Sequence, residues 1–155
     1  MAVFASTKPG AVGSADEMRV TLRFPAALTY RPVAVALVSV LIQQVKQADG
    51  EFRNGMVTAF GEAFNNIVIH AYRGRHDGMI EIEAEMTADR MTLRLIDTGQ
   101  PNAVSGVRPP DLEALPESGM GVFMIQSLVD DVNYKCGPPN VLSLIKRTTS
   151  AGGVR

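Results

Sequence analysis

Cysteine is nearly absent from this chain. Cys136 stands alone, so no internal disulfide and no cysteine-built zinc cluster can form, and a reducing cytoplasm is the expected compartment. An excess of one charge is also missing. Fifteen Lys and Arg against sixteen Asp and Glu leave a net charge of −1, which argues against nucleic acid or a membrane surface as a partner. Long apolar runs are lacking too: Val33 to Ile42 is broken by Ser39 and stops at Gln43-Gln44, too short to span a bilayer. No basic-then-apolar leader opens the chain, so export is not expected. There is no Gly-x-x-x-x-Gly-Lys-Ser/Thr, which excludes a P-loop. The later Gly pair does not follow the first strand of a βαβ unit, which excludes a Rossmann site. What is present is a globular composition, 46% hydrophobic and 20% charged over 155 residues, enough for one domain with a single substantial core.

Periodicity divides that domain into alternating pieces. Met18, Val20, Leu22 and Phe24 alternate with Arg19, Thr21 and Arg23, a half-buried strand closed by Pro25. Val33 to Ala48 predicts a helix that begins after Pro32 and stops at Asp49-Gly50. Its front half is apolar nearly all round, as in a helix sandwiched between a sheet and a neighbour; a partner-binding face is the alternative. Glu51 to Arg73 predicts a second helix, broken by Gly74 and Gly78. Met79–Met86 and Arg90–Ile96 read as a hairpin with one packed and one charged face, Arg94 meeting a glutamate across the strands. Between Thr98 and Ser118 no period survives, and Pro101, Pro109, Pro110 and Pro116 forbid a continuous helix, which suits a functional lid or a disordered segment. A helix over Met120–Val129 and strands over Asp131–Tyr134 and Val141–Lys146 complete the fold.

Polar residues inside the second helix carry the chemistry. Glu62, Asn66 and His70 stand at i, i+4 and i+8, one face of an otherwise apolar segment. That face meets either solvent or a ligand. A carboxylate can take a proton, and a carboxamide oxygen can enter the shell of Mg²⁺, which takes only one or two protein oxygens beside phosphate and water. Downstream, Asp97-Thr98-Gly99 ends a strand, either a plain turn or a place where a ligand approaches the backbone. Gly119 and Gly121 flank Met120 at a helix start, where free N–H groups and the helix dipole suit phosphate.

Those three pieces in that order resemble the nucleotide site of the GHKL superfamily of gyrase-type ATPases, heat-shock chaperones, histidine kinases and mismatch-repair ATPases. Within it, Glu62 to Tyr72 followed by Glu117-Ser118-Gly119-Met120-Gly121 is most similar to the bacterial anti-sigma factor serine kinases. The resemblance runs from about Met18 to Lys146. It implies an α/β sandwich of the Bergerat type over residues 18–148, with a mixed, largely antiparallel sheet covered on one face by helices, and tails over 1–17 and 149–155.

The resemblance further implies that Glu62 is the catalytic base, Asn66 the Mg²⁺ ligand, Asp97 and Gly99 the adenine contacts, and Gly119, Met120 and Gly121 the phosphate loop. His70 is placed as a pocket residue or a structural histidine. Arg108 is the lid's only cation. The implied activity is ATP- and Mg²⁺-dependent phosphorylation of a serine on a small antagonist of the anti-anti-sigma, STAS type, with sequestration of a sigma factor by a homodimer when unopposed. Two other classes stay open: a binding module without phosphotransfer, and an ATP-hydrolysing domain. The chain departs from the pattern at Pro101, at Glu117, and at Val141 and Leu142, where the family often has a threonine beside the adenine.

Overall fold

The computed structural model describes residues 17–75, 77–101 and 120–149. Strand β1 spans Met18–Pro25, followed by a short 3-10 turn at Leu28–Tyr30 and helix α1 at Arg31–Ile42. Helix α2 spans Gly50–Asn66 and runs on into a π turn at Ile67–Ala71. The hairpin β2 (Met79–Met86) and β3 (Arg90–Asp97), helix α3 (Met120–Leu128), and the hairpin β4 (Asp131–Lys135) and β5 (Asn140–Arg147) follow. The five strands form one sheet in the order β1-β2-β3-β5-β4, antiparallel at every pairing.

Alternation along each strand decides which side faces the helices. Ile80, Ile82, Ala84 and Met86 are buried beneath them, as are Met91, Leu93 and Leu95. The opposite face carries Glu81, Glu83 and Glu85 against arginines. Arg23 pairs with Glu81, and Arg94, in register with Glu83, lies 3.9 Å from that carboxylate and 3.7 Å from Glu85. These exposed pairs hold register more than they add stability.

Packing rather than propensity holds α2. Gly55 and Gly61 each cost a helix about 1 kcal/mol, whereas each large side chain fully buried contributes ~1.5–3 kcal/mol. Met56, Phe60 and Phe64 have no exposed surface, and Phe64 meets Phe24 of β1 edge-on at 6.4 Å and Phe60 at 6.1 Å. Helix α1 departs from its expected extent. It ends at Ile42, and the chain turns through short bonds from Gln43 to Val40 and from Gln44 to Leu41. Asp49-Gly50 does not stop that helix but starts the next: the Asp49 carboxylate accepts from the Phe52 N–H at 2.7 Å, capping α2. Nor is α1 sandwiched. It buries Ala34, Val38 and Ile42 but leaves Val33 50% and Val40 55% exposed. No helix among the described residues is long and apolar enough to cross a membrane.

Candidate functional site

Two groups of side chains lie at the ends of elements that converge on the C-terminal half of α2. The first is Glu62 and Asn66, one turn apart and half-buried on the side of α2 that receives α3. Gly121, in the first turn of α3, rests directly over both. A Cβ at Gly121 would stand 3.5 Å from Glu62 Oε2 and 3.6 Å from each polar atom of the Asn66 carboxamide. Glycine therefore keeps hydrocarbon out of a spot lined by an acid, a carboxamide and a helix start.

The far end of α3 is fixed by a second close approach. A Cβ at Gly55 would come within 2.9 Å of the Leu128 carbonyl oxygen, so glycine there allows the two helices to touch. The same carbonyl accepts from Lys146 Nζ at 2.7 Å, which satisfies the end of α3 with a cation, the sign the helix C-terminus favours. Gly55 and Lys146 together set where Gly121 falls.

The second group is Asp97, the last residue of β3. Asp97 is only 4% exposed, and its Oδ1 accepts from the Gly99 N–H at 2.8 Å and from Asn140 Nδ2 at 3.0 Å. Asn140 is the residue that sequence reasoning missed. The family pattern points to Val141 and Leu142, one and two residues along, whereas strand register sets Asn140 opposite Asp97. Its side chain is a short polar group at a strand start, a common turn feature that no periodicity singles out.

Backbone contacts tie the groups together. Gly99 lies so close to Ala71, at the end of the π turn, that a Cβ would meet the Ala71 carbonyl oxygen at 2.7 Å, and the Gln100 N–H donates to that oxygen at 2.9 Å. Gly99 is thus required for helix and strand to meet, in addition to the base contact expected of it. Tyr72, buried, locks the same corner: its hydroxyl donates to the Met79 carbonyl at 2.8 Å and accepts from the Thr98 N–H at 3.1 Å. The chain that carries Glu62 and Asn66 is therefore bonded to the chain that carries Asp97.

His70 sits in the π turn and is exposed, as is Met120 at the start of α3. Arg108, Glu117 and Gly119 lie outside the described residues. No group of three or more His, Cys, Asp or Glu among the described residues could hold a metal by itself. The donors at Glu62 and Asn66 are hard oxygens, few in number, which fits a Mg²⁺ that completes its shell with phosphate and water.

A family model described as a histidine kinase-like ATPase domain matches residues 24–146. The anti-sigma F factor of Clostridium beijerinckii is 38% identical over 84 residues, covering 50% of this chain and 57% of that protein. The serine-protein kinase RsbW of Listeria innocua is 28% identical over 125 residues, covering 74% of this chain and 77% of the kinase. The crystal structure of the RsbU and RsbW domains of a Mycobacterium tuberculosis protein superposes with a TM-score of 0.56 at 20% identity, covering 82% of this chain and 32% of that one, a likeness of fold.

Proposed function

The chain belongs to the histidine kinase-like ATPase family, and on that premise we propose that it is an anti-sigma factor with ATP-dependent serine kinase activity toward an anti-anti-sigma protein. The observation that carries the reading is the meeting of Glu62, Asn66 and Gly121, with Asp97 bonded to Gly99, whose neighbour Gln100 donates to Ala71 in the turn that continues the same helix. ATP is the phosphoryl donor. Its adenine rests at Asp97 and its phosphates lie under the start of α3, where Met120 and Gly121 offer backbone N–H groups; Gly119 precedes them in sequence and is assigned to the same loop. Mg²⁺, when bound through Asn66, would neutralise charge on the phosphates.

Glu62 is the base. As the partner's serine oxygen forms its bond to the γ-phosphorus and the bond to the β-phosphate oxygen breaks, the hydroxyl proton passes to the Glu62 carboxylate and ADP leaves. Half-burial suits this role, since the acid must be reached by a protein substrate yet sheltered from bulk water. His70, exposed one turn beyond Asn66, is assigned to the rim of the same site, and Arg108, outside the described residues, is assigned to the nucleotide as the one cation between Thr98 and Ser118. The unopposed protein sequesters a sigma factor as a homodimer. Val33 and Val40, exposed on α1, offer such a partner an apolar surface.

Labelled ATP, Mg²⁺ and the anti-anti-sigma protein encoded nearest to this chain provide the test. Phosphoserine on the partner is the expected product. Labelled inorganic phosphate released at the same rate with and without any protein acceptor would overturn the kinase reading in favour of ATP hydrolysis.

A further inference from the structure

We propose that Asn140 is a positioning residue that sets the nucleobase preference of this site by leaving one oxygen of Asp97 to receive a donor from a purine. The inference rests on the nucleotide reading above and extends it to a residue outside the Glu62, Asn66, Asp97 and glycine pattern. Asn140 is 1% exposed and pairs with Asp97 across β3 and β5. One hydrogen of its Nδ2 goes to Asp97 Oδ1 at 3.0 Å, the other to the Gly99 carbonyl at 3.0 Å, and its Oδ1 accepts from the Gly137 N–H at 3.2 Å. That pattern fixes the amide's orientation, because turned over it would set an oxygen against two acceptors.

The consequence falls on Asp97. With the Gly99 N–H also donating to Oδ1 at 2.8 Å, two donors converge on a single carboxylate oxygen. The carboxylate cannot rotate without breaking both bonds, and Oδ2 is the oxygen left for a partner from outside. Asn140 has spent both its hydrogens, and the next two side chains, Val141 and Leu142, are hydrocarbon. A ligand at this corner is therefore read by an acceptor that offers no hydrogen in return. A purine with an amino group at C6 donates to it. A purine with an oxo group there brings lone pairs against a negative charge, leaving the carboxylate without its bond. Release of the Asn140 clamp lets Asp97 swing and relaxes that choice.

Equilibrium binding of ATP and of ITP, its 6-oxo counterpart, to the full chain and to Asn140→Ala and Asn140→Ser tests the assignment, with far-UV dichroism and cooperative melting confirming the fold. Wild type is expected to prefer ATP. Asn140→Ala is expected to weaken ATP about tenfold while ITP moves by less than about twofold, so the ratio collapses; Asn140→Ser, with one donor in place of two, falls between. A folded variant that keeps the wild-type ratio, or loses both nucleotides equally as a purely structural residue would, overturns the proposal. Asn140→Ser serves if the alanine variant does not fold. Wild-type protein that binds neither nucleotide instead removes the nucleotide reading itself, and the assignment with it.

Discussion

The corner around Asp97 and the patch around Glu62 are built on opposite plans. Asp97 and Asn140 are almost fully buried and are joined to each other, to Gly99 and to Gly137 by four hydrogen bonds, the geometry of a socket complete before any ligand arrives. Glu62 and Asn66 are half-exposed, and what covers them is the first turn of α3, approached without a Cβ. A rigid socket suits recognition, where misplacement is costly. An open patch suits chemistry on a protein substrate, which has to enter and leave. Under the proposed function, selectivity lies at one end of the site and turnover at the other, so substitutions at the two ends should fail in different ways.

The largest effect is expected at the open end. Glu62→Gln removes the proposed proton acceptor while keeping size and shape, and phosphotransfer should fall ~10²–10⁴-fold. ATP affinity and melting temperature should stay near wild type. A variant that turns over normally would erase the contrast, because the patch would then carry no chemistry.

At the junction of the two ends, Gly99→Ala drives a methyl to within 2.7 Å of the Ala71 carbonyl oxygen. Helix and strand must part, at a cost of about 2 kcal/mol or more, so the protein should melt lower and bind ATP less tightly. Undiminished stability in a thermal melt would show that the contact is slack and that the two ends are not braced against each other.

A smaller change, Tyr72→Phe, deletes one hydroxyl and with it the bonds to the Met79 carbonyl and the Thr98 N–H. A loss of about 1 kcal/mol is expected, which for a domain of this size lowers the melting temperature by about 2–4 °C. ATP affinity should fall more than phosphotransfer at saturating ATP. Equal losses in both would mean that Tyr72 braces the whole fold rather than the Asp97 corner.

The open end was legible in the sequence because one helix carries it. Spacing of four residues puts Glu62 and Asn66 on one face whatever the rest of the chain does, and the packed and charged faces of the β2–β3 hairpin follow from alternation in the same way. The socket was legible only in half. Asp97 and Gly99 are adjacent in sequence, but Asn140 reaches them through sheet register, a contact between residues far apart that no local pattern encodes. Helix ends were harder still. Gln43 and Gln44 sustain a helical composition but not helical bonds, and Asp49 serves as the cap of α2, a role that depends on where its carboxylate turns. The π turn at Ile67–Ala71 leaves no mark in composition, although it brings Ala71 to Gly99.

The proposed function requires one nucleotide spanning both ends, with a cation held at Asn66. ATP binding to wild type and to Asn66→Ala, titrated in the presence and absence of Mg²⁺, tests this directly. Wild type should bind ATP more tightly with the cation, and Asn66→Ala, equally stable in a melt, should lose that gain. An alanine variant whose ATP affinity still rises with Mg²⁺ as in wild type would contradict it.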